Sequence, residues 1–376
     1  MRVGIIEIFS RTHIDPVDAK VSCLLHSGHS VVVVALDEVI DFIEYEHCQN
    51  ESPVSTVRVP FGKLNEALKA MYAESVDVFI FTTVLPSVSA LCLTRIPRRY
   101  GVIVCVQNAE LWFGSFRLGP IKEVLKRAII AVIKRRVKIY AVGLTETQEY
   151  FFGAAGLRDV TLGTTPFSVP RQKKRLTQCN SKNQSVVIPG LYTQDRRDYV
   201  GLIDYMLANK SDLNNFKHVS FVFAGAPSSA RSGALILSKL TELAAAGYSI
   251  KFHHSFIDQR EYDSYLEQCC CILSPTQNAP QSREKYGVTK DTGAFWAMYK
   301  YQVSGFVPSQ ISVPEFAGPL TRVYESYDDL FRQLVDLIFL HPKRVDDLPV
   351  QEKYIEDALR RHSDDLNSLL RSALNS

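Results

Sequence analysis

The chain has 376 residues, of which 46% are hydrophobic and 22% are charged, and its formal net charge is +3. This composition is that of a globular protein and excludes a disordered or low-complexity chain. The small net charge gives no indication of a nucleic-acid partner, and the length predicts about two domains.

Short apolar runs alternate with amphipathic segments through the first half of the chain. The runs are nearly continuous, which is typical of parallel strands that are covered on both faces. Helical patterns lie between them, for example at 15–27 and 63–73. Repeated strand–helix units indicate a doubly wound α/β domain. The predicted strands are 3–9, 30–36, 76–81, 101–106 and 138–144.

A polar and basic stretch at 168–184 interrupts this alternation and predicts a linker. The strand pattern then resumes, and the last segment carries an apolar stripe of helical spacing. We therefore expect two similar α/β domains, at 1–167 and 185–345, and a C-terminal helix within 346–376 that packs back across the first domain. The second set of predicted strands is 185–190, 218–225, 248–254, 269–275 and 301–308.

The eight cysteines form no CxxC pair and no Cys/His cluster with zinc-ligand spacing. We interpret them as reduced structural thiols of a cytosolic protein. The N-terminal residues lack the features of a signal peptide, and no apolar stretch approaches the ~18 residues of a membrane span. These features predict a cytoplasmic protein.

Several chemical motifs are absent from the sequence. There is no GxGxxG after the first strand, no P-loop, no GxSxG and no HExxH, so no dinucleotide cofactor or zinc-protease site is indicated. There is also no Asp-x-Asp pair that would hold a nucleotide diphosphate through a divalent metal. We therefore expect neither a cofactor nor a metal.

Polar clusters follow four predicted strands of the second domain. The first contains Gly190 with Arg196 and Arg197, and the second is "AGAP". The third begins with "HHSF", and the fourth is "EKYGVTKDTGAFW" at 284–296. Because the carboxyl ends of parallel strands share one edge of a sheet, these clusters converge there and suit a diphosphate. Each cluster taken alone is a weak signal, because glycines and charged residues at a strand end more often form a connecting turn.

The order of the clusters resembles the C-terminal half of retaining GT-B glycosyltransferases, which use nucleotide-sugar donors. The resemblance covers about residues 185–335 and extends to the first domain by architecture. It implies two Rossmann-like doubly wound α/β domains facing a cleft, with the C-terminal helix crossing back. The donor-binding residues that it implies are Gly190, Arg196, Arg197, Gly225, His254, Phe256, Glu284, Tyr286, Gly287, Thr289, Lys290, Thr292 and Gly293.

The resemblance implies metal-independent transfer of a sugar from a nucleotide-diphosphate donor to a glycan or lipid-linked acceptor, with retention of configuration. One of the two arginines, Lys290 and the amides from Thr292 onward would stabilise the leaving diphosphate, which would itself take the proton of the acceptor. On the acceptor side the catalytic candidates are His13, Asn108 and Glu110. His13 equally fits a histidine in a turn.

Two positions depart from the pattern of that family. Its second glutamate, eight positions after the first, is replaced here by Thr292, and Gln107 stands where a histidine is common. These departures favour an alternative, a catalytically silent GT-B partner of another transferase. A sugar-nucleotide epimerase of similar shape is a third hypothesis.

Residues 117–138 hold eight basic residues and one acidic residue. Ile121, Val124, Leu125, Ala128 and Val132 share a helical stripe that suits core packing. We expect Ile130 and Ile133 on the basic, exposed side, where they suit an anionic membrane surface at the inner face of the membrane. The predicted membrane-facing residues are Lys126, Arg127, Ile130, Ile133, Lys134, Arg135 and Arg136.

Overall fold

The computed structural model describes residues 1–48, 52–84, 87–106, 112, 120–144, 146–148, 160–171, 184–229, 231–277, 285–288, 292–340 and 352–376. The chain forms two compact units. Unit 1 comprises Met1–Val169, Val288–Asp291 and Glu356–Ser376, and unit 2 comprises Pro170–Gly287 and Thr292–Ile355.

Unit 1 is built on a parallel sheet of seven strands: β1 (Arg2–Glu7), β2 (Ser30–Ala35), β3 (Val54–Arg58), β4 (Val78–Phe81), β5 (Gly101–Cys105), β6 (Ile139–Val142) and β7 (Thr161–Thr164). Their order in the sheet is β3-β2-β1-β4-β5-β6-β7. The central strands consist of β-branched and aromatic residues that are buried on both faces, as a covered parallel sheet requires. Helices α1 (Ile14–His26), α2 (Asp37–His47), α3 (Leu64–Ala73) and α4 (Pro120–Ile133) lie between them in the chain.

Unit 2 repeats this plan with six parallel strands: β8 (Ser185–Pro189), β9 (Ser220–Ala224), β10 (Ile250–Phe252), β11 (Cys271–Leu273), β12 (Gly305–Pro308) and β13 (Thr321–Tyr324). Their order is β10-β9-β8-β11-β12-β13. The helices of this unit are α5 (Tyr199–Ala208), α6 (Arg231–Ala245), α7 (Gln259–Gln268), α8 (Gly293–Tyr301) and α9 (Tyr327–Val335).

The C-terminal helix α10 (Glu352–Leu374) packs on the sheet of unit 1. Leu366, Leu369 and Leu370 are buried in the same cluster as the core residues of β1 and β2. A Cβ on Gly163 would meet the Leu369 side chain, so this glycine lets the helix approach β7 closely. The prediction that the last helix returns to the first domain is therefore confirmed.

The ten predicted strands are present, and three short strands lie beyond them. These are β3, β7 and β13, which stand at sheet edges and are partly exposed. An edge strand has fewer neighbours to pack against, so its sequence carries a weaker apolar signal. The last predicted strand begins too early, because Tyr301 ends helix α8.

Among the cysteines that the structure describes, Cys270 is disulfide-bonded and the other six form no disulfide. The interpretation of all eight as reduced thiols is therefore wrong at Cys270, while Cys179 lies outside the described residues. In the part of the chain that the structure describes, no helix combines the length and apolarity needed to cross a bilayer.

Candidate functional site

Each sheet contains one point at which the direction of strand addition reverses. In unit 1 this point lies between β1 and β4, and in unit 2 it lies between β8 and β11. In open α/β sheets, ligands bind outside the carboxyl ends of the strands at such a point. The residues that follow these four strands are therefore the first place to look for a site.

In unit 2 the turn after β8 is packed tightly around two glycines. Gly190 has φ +112°, and a Cβ there would lie 2.5 Å from Cζ of Arg197. A Cβ on Gly225 would lie 2.0 Å from the carbonyl oxygen of Gly190. Both positions therefore require glycine, because the Arg197 guanidinium and the neighbouring backbone occupy the space of a side chain.

Tyr192 connects the ends of three strands of unit 2. Its buried hydroxyl donates to the carbonyl oxygen of Phe223 at 2.7 Å and accepts from the amide of His253 at 3.2 Å. Its carbonyl oxygen accepts from the amide of Ser228 at 3.3 Å. Arg197 forms an isolated antiparallel bridge with Thr276, just after β11. These contacts fix the backbone on which Arg197, Ser228 and His253 stand.

Three buried side-chain atoms at this edge have no hydrogen-bond partner among the described residues. They are Nε of Arg197, Oγ of Ser228 and Nε2 of His253, and they follow β8, β9 and β10 in turn. Buried polar atoms are almost always paired, so each exception needs an explanation. Together they offer one fixed positive charge and two groups able to donate or accept, which suits an anionic, hydroxylated ligand.

The structure distinguishes the two adjacent histidines at the end of β10. His253 is partly buried, and desolvation by burial lowers its pKa below the usual value, so the ring is neutral near pH 7. His254, the predicted donor-site histidine, is exposed and its ring lies against Phe252. The "HH" dipeptide signalled a histidine here, but the choice between its two members depends on which one faces inward.

The other predicted donor-site residues lie in different environments. Arg196 and Phe256 are exposed, the latter by 62%. Tyr286 is buried in the hydrophobic core of unit 2, so its ring serves packing. Thr292 is buried and caps helix α8, since its hydroxyl accepts from the amide of Ala294 at 3.4 Å.

Two glycines remain from the predicted segment. Gly287 has φ +80°, and a Cβ there would lie 1.8 Å from the carbonyl oxygen of Ser312, so the backbone passes too closely for a side chain. Gly293 begins α8 and has open space around its Cα. Glu284, Thr289 and Lys290, like Asn108 and Glu110 in the first domain, lie outside the described residues.

In unit 1, the switch point between β1 and β4 is organised by Glu7, which sequence reasoning missed. Its side chain is fully buried. One carboxylate oxygen accepts from the amides of Phe9 and Ser10 at 3.1 and 3.0 Å. The other accepts from the hydroxyls of Thr82 and Thr83 at 2.7 and 2.5 Å. The only sequence signal was one acidic residue within the apolar run "VGIIEIF".

His13 lies beside this carboxylate, as the residue that precedes helix α1. Its Nδ1 is 2.6 Å from Oγ1 of Thr83 and 3.4 Å from Oε2 of Glu7. The ring also makes an edge contact with Phe167. The structure therefore places this predicted catalytic candidate at the switch point of its sheet, in a polar cluster and not in a solvated turn.

A metal-binding arrangement is not found in the described part of the chain, where no three His, Cys, Asp or Glu side chains come together suitably. A small cavity next to the Glu7 cluster is lined by Lys20, Thr82 and Cys105. Lys20 is buried and donates to the carbonyl oxygens of Pro16 and Pro166 at 3.1 and 3.4 Å. Burial raises the pKa of the Cys105 thiol, so this cysteine is not a nucleophile near pH 7.

Helix α4 presents the opposite face from the one predicted. Ile130 and Ile133 are buried in the core of unit 1, and Lys126 is only 7% exposed. The predicted core stripe is instead exposed, by 68% at Val124 and 52% at Leu125. The helix is apolar on two sides, and the side that carries Ile130 and Ile133 packs into the core of unit 1.

The basic residues of this helix also divide into two groups. Arg127 and Arg135 are exposed, together with the apolar face formed by Val124, Leu125, Ala128 and Val132, which we call the outer face of α4. Arg136 instead donates to the backbone carbonyl oxygens of Ile96, Pro97 and Tyr100 at 2.8, 2.9 and 2.6 Å. Arg136 therefore stabilises unit 1, and its inclusion in a membrane-facing set is a correction.

No protein-family model and no curated protein matches the sequence. Solved structures match over nearly its whole length. A sucrose-phosphate synthase from Thermosynechococcus elongatus is 12% identical with a TM-score of 0.60, covering 99% of this chain and 98% of that chain. A glycosyltransferase from Rickettsia africae is 11% identical with a TM-score of 0.56, covering 100% and 96%.

A protein assigned as a UDP-N-acetylglucosamine 2-epimerase, from Listeria monocytogenes, is 12% identical with a TM-score of 0.57, covering 98% of this chain and 96% of that chain. These similarities show that the chain has the GT-B fold, as the order of its strand-end clusters predicts. These neighbours include both transferases and a protein assigned as an epimerase, so the reaction has to be argued from the site.

Proposed function

We propose that the chain is a glycosyltransferase that moves a sugar from a nucleotide-diphosphate donor to a glycan or lipid-linked acceptor. The observation that carries this proposal is the set of unpartnered polar atoms of Arg197, Ser228 and His253, which follow β8, β9 and β10 at the carboxyl-end edge of the unit 2 sheet. A buried donor or acceptor without a partner destabilises the protein by about 1–3 kcal/mol. A ligand that supplies the missing partner removes this penalty and gains binding free energy. The diphosphate and hydroxyl groups of a nucleotide sugar supply such partners.

The donor chemistry then follows from charge. When the bond between the anomeric carbon and the phosphate oxygen breaks, negative charge develops on the departing diphosphate. Arg197 supplies a permanent positive charge there, and the amides at the start of α8 supply dipoles of the same sign. This arrangement supports transfer without a metal, and retention of configuration remains the expectation from the resemblance.

The test is incubation of the protein with a panel of nucleotide sugars in the presence of EDTA, with glycan and lipid-linked acceptors. We expect binding by thermal shift and release of nucleoside diphosphate. Arg197→Gln should weaken nucleotide binding by about 10- to 100-fold, since a charge-assisted hydrogen bond contributes about 1.5–3 kcal/mol. Arg332→Gln is the matched control, because Arg332 is an exposed arginine paired with Asp329 in the same unit.

Other results separate the alternatives. Binding without release of diphosphate, with every acceptor added, would identify a catalytically silent GT-B partner. Conversion of the sugar to its epimer without an acceptor would identify an epimerase, a reading that the shared fold of the Listeria monocytogenes protein keeps relevant. Failure to bind any nucleotide would contradict all three.

The proposal includes peripheral binding at the inner, cytoplasmic face of a membrane. The outer face of α4 supports it, because three large apolar side chains are exposed there, including Val132 at 40%. Arg127 on the helix and Arg135 in the turn that follows it are also exposed. Apolar side chains that enter the headgroup region beside arginines are typical of helices that lie on anionic bilayers.

Vesicle flotation tests the membrane proposal directly. The wild-type protein should bind vesicles of phosphatidylglycerol and phosphatidylcholine, and less so vesicles of phosphatidylcholine alone. Leu125→Glu with Val132→Glu should lower the bound fraction about tenfold or more, whereas Leu235→Glu, at another exposed leucine on helix α6, should leave it unchanged. Equal flotation of the wild-type protein and the double variant would contradict the proposal.

A further inference from the structure

The small cavity beside the Glu7 cluster lies at the carboxyl-end edge of the unit 1 sheet. Lys20 joins its lining from helix α1, and its volume of about 20 Å³ admits one water-sized group. The ends of four neighbouring strands meet there: Thr82 after β4, Cys105 at the end of β5, Gly143 after β6 and Thr165 after β7. The cavity therefore belongs to the edge at which open α/β sheets bind ligands.

Among the described residues that line this cavity, Lys20 alone carries a charge. Its side chain is 2% exposed, and Nζ donates to the carbonyl oxygens of Pro16 and Pro166 at 3.1 and 3.4 Å. An ammonium group has three N–H donors, of which these neutral acceptors take two. A buried lysine normally has an anionic partner, because an uncompensated charge in the interior is strongly destabilising. For Lys20, the described part of the chain supplies no such partner.

Two carboxylates of unit 1 could be expected to balance this charge, and each has other partners. Glu7 accepts from two amides and two hydroxyls, and its ion-pair contact is with His13. Asp18, on the same helix as Lys20, lies 2.7 Å from Nε2 of His47. The positive charge of Lys20 therefore remains available to an anionic ligand.

We propose that Lys20 is the anion-binding residue of an acceptor subsite in unit 1, which takes one oxygen of a carboxylate or phosphate group on the acceptor. This inference rests on the proposed glycosyl transfer and deepens it, because it narrows the acceptor to sugars that carry an acidic group. The size of the cavity suits a single oxygen, while the rest of the sugar stays outside.

The direction of entry follows from the exposure of the lining residues. Gly143 and Phe167 are half-buried, whereas Thr82, Cys105 and Thr165 are buried, so the acidic group enters from the side of the first two. The ring of Phe167 also makes the edge contact with His13. An acceptor held by Lys20 therefore lies near the histidine that the sequence predicts to be catalytic.

The first test measures anion binding without a donor. Calorimetry with glucuronate, glucose 6-phosphate and neutral glucose is run at constant ionic strength in Arg197→Gln, which removes the positive charge of the unit 2 cluster. We expect at least one acidic sugar to bind about 10-fold more tightly than glucose or better, since it forms a charge-assisted hydrogen bond. The tighter of the two acidic sugars shows whether the subsite prefers a carboxylate or a phosphate.

Three added substitutions assign this preference to Lys20. Lys20→Met and Lys20→Gln should abolish it, and the glutamine keeps N–H donors for the two carbonyl oxygens. Lys69→Met is the matched control, because it removes an exposed lysine of the same unit and should keep the preference. Urea unfolding verifies that each variant is folded. Acidic sugars that bind no more tightly than glucose, or a preference that survives in both Lys20 variants, would overturn the subsite.

The second test measures transfer by the Lys20 variants in the otherwise wild-type protein. Lys20→Gln should raise KM for the acidic acceptor about 10- to 100-fold with little change in kcat, and should leave KM for a neutral acceptor unchanged. Equal KM values for the acidic acceptor in the variant and the wild-type protein would contradict the subsite while glycosyl transfer stands. If binding depends on Lys20 but no acceptor is glycosylated, the transfer proposal fails and the anion subsite stands.

Discussion

Both sheets carry a polar cluster at the carboxyl ends of their strands, but the two clusters differ in how their buried atoms are paired. In unit 1 the carboxylate of Glu7 has four donors from the chain itself. In unit 2, Arg197, Ser228 and His253 each have a buried atom without a partner among the described residues. A cluster whose polar atoms are all paired within the chain fixes the positions of its side chains. A cluster with unpaired polar atoms is stabilised when a ligand supplies their partners.

Because of this difference, we expect substitutions in the two clusters to change the free energy of unfolding by different amounts. Removing the carboxylate of the unit 1 cluster leaves several donors without an acceptor. Removing an unpartnered atom of the unit 2 cluster leaves no other group without a partner. Binding sites are commonly less stable than the rest of a protein for this reason. The following variants test the contrast, beginning with the largest expected effect.

Glu7→Leu should destabilise unit 1 by at least about 3 kcal/mol, because it leaves two amides and two hydroxyls without their acceptor. Urea unfolding monitored by circular dichroism measures the change. Glu38→Leu, at an exposed glutamate in the same unit, should change the free energy of unfolding little. A small effect for Glu7→Leu would show that the cluster is not a stabilising network.

Gly225→Ala should destabilise unit 2 by about 1–3 kcal/mol, since the added Cβ would lie 2.0 Å from the carbonyl oxygen of Gly190. It should also displace the Gly190 turn and so weaken nucleotide binding. Gly318→Ala is the control, because nothing lies within 4 Å of a Cβ at that position. Unchanged stability in Gly225→Ala would mean that the turn shifts freely.

Arg197→Met should separate stability from binding. The apolar side chain replaces a group whose buried Nε has no partner, so we expect an unchanged or slightly raised free energy of unfolding. Nucleotide binding should fall by about 10- to 100-fold. Loss of both stability and binding would show that Arg197 serves mainly to hold the fold, and the contrast between the two edges would fail.

His253→Gln should give the smallest effect and one that depends on pH. Burial lowers the pKa of His253, so its neutral form is favoured in the folded state and contributes stability above about pH 6.5, the ordinary histidine value. That contribution is lost as the pH falls through the lowered pKa of the folded state. The variant should therefore lose less stability between pH 7 and pH 5 than the wild-type protein.

Proton uptake on nucleotide binding gives a second measurement of the His253 ring. A bound diphosphate near His253 favours the charged ring, so binding at pH 6 should take up protons in the wild-type protein and not in His253→Gln. Calorimetry in buffers of different ionisation enthalpy measures this uptake. Identical proton uptake in the two proteins would place the diphosphate away from His253.

Most of the sheet architecture could be predicted because it depends on local signals. The apolar runs gave the central strands, and their order along the chain gave the doubly wound class. The glycines at 190 and 225 and the adjacent arginine pair follow predicted strands, and the structure places them at the carboxyl-end edge of the unit 2 sheet. These signals are carried by residues near one another in the sequence.

The inward or outward direction of a side chain was predicted less well. Ile130 and Ile133 were expected on the exposed side of α4 and are buried, and the sequence did not indicate which of His253 and His254 is the more buried. When two histidines are adjacent, or when a helix is apolar on two sides, the sequence pattern does not show which side is buried. The neighbours in the sheet decide which side is buried.

The sequence by itself determined the two α/β units, their central strands and the glycine-bearing turns, because periodicity and backbone requirements act over a few residues. Only the tertiary structure decided which polar atoms meet. Glu7 and Thr83 are separated by 76 positions and become neighbours because β1 pairs with β4. The pairing of buried polar atoms depends on such long-range contacts, and in this protein it distinguishes the edge that is pre-ordered from the edge that has unpaired groups for a ligand.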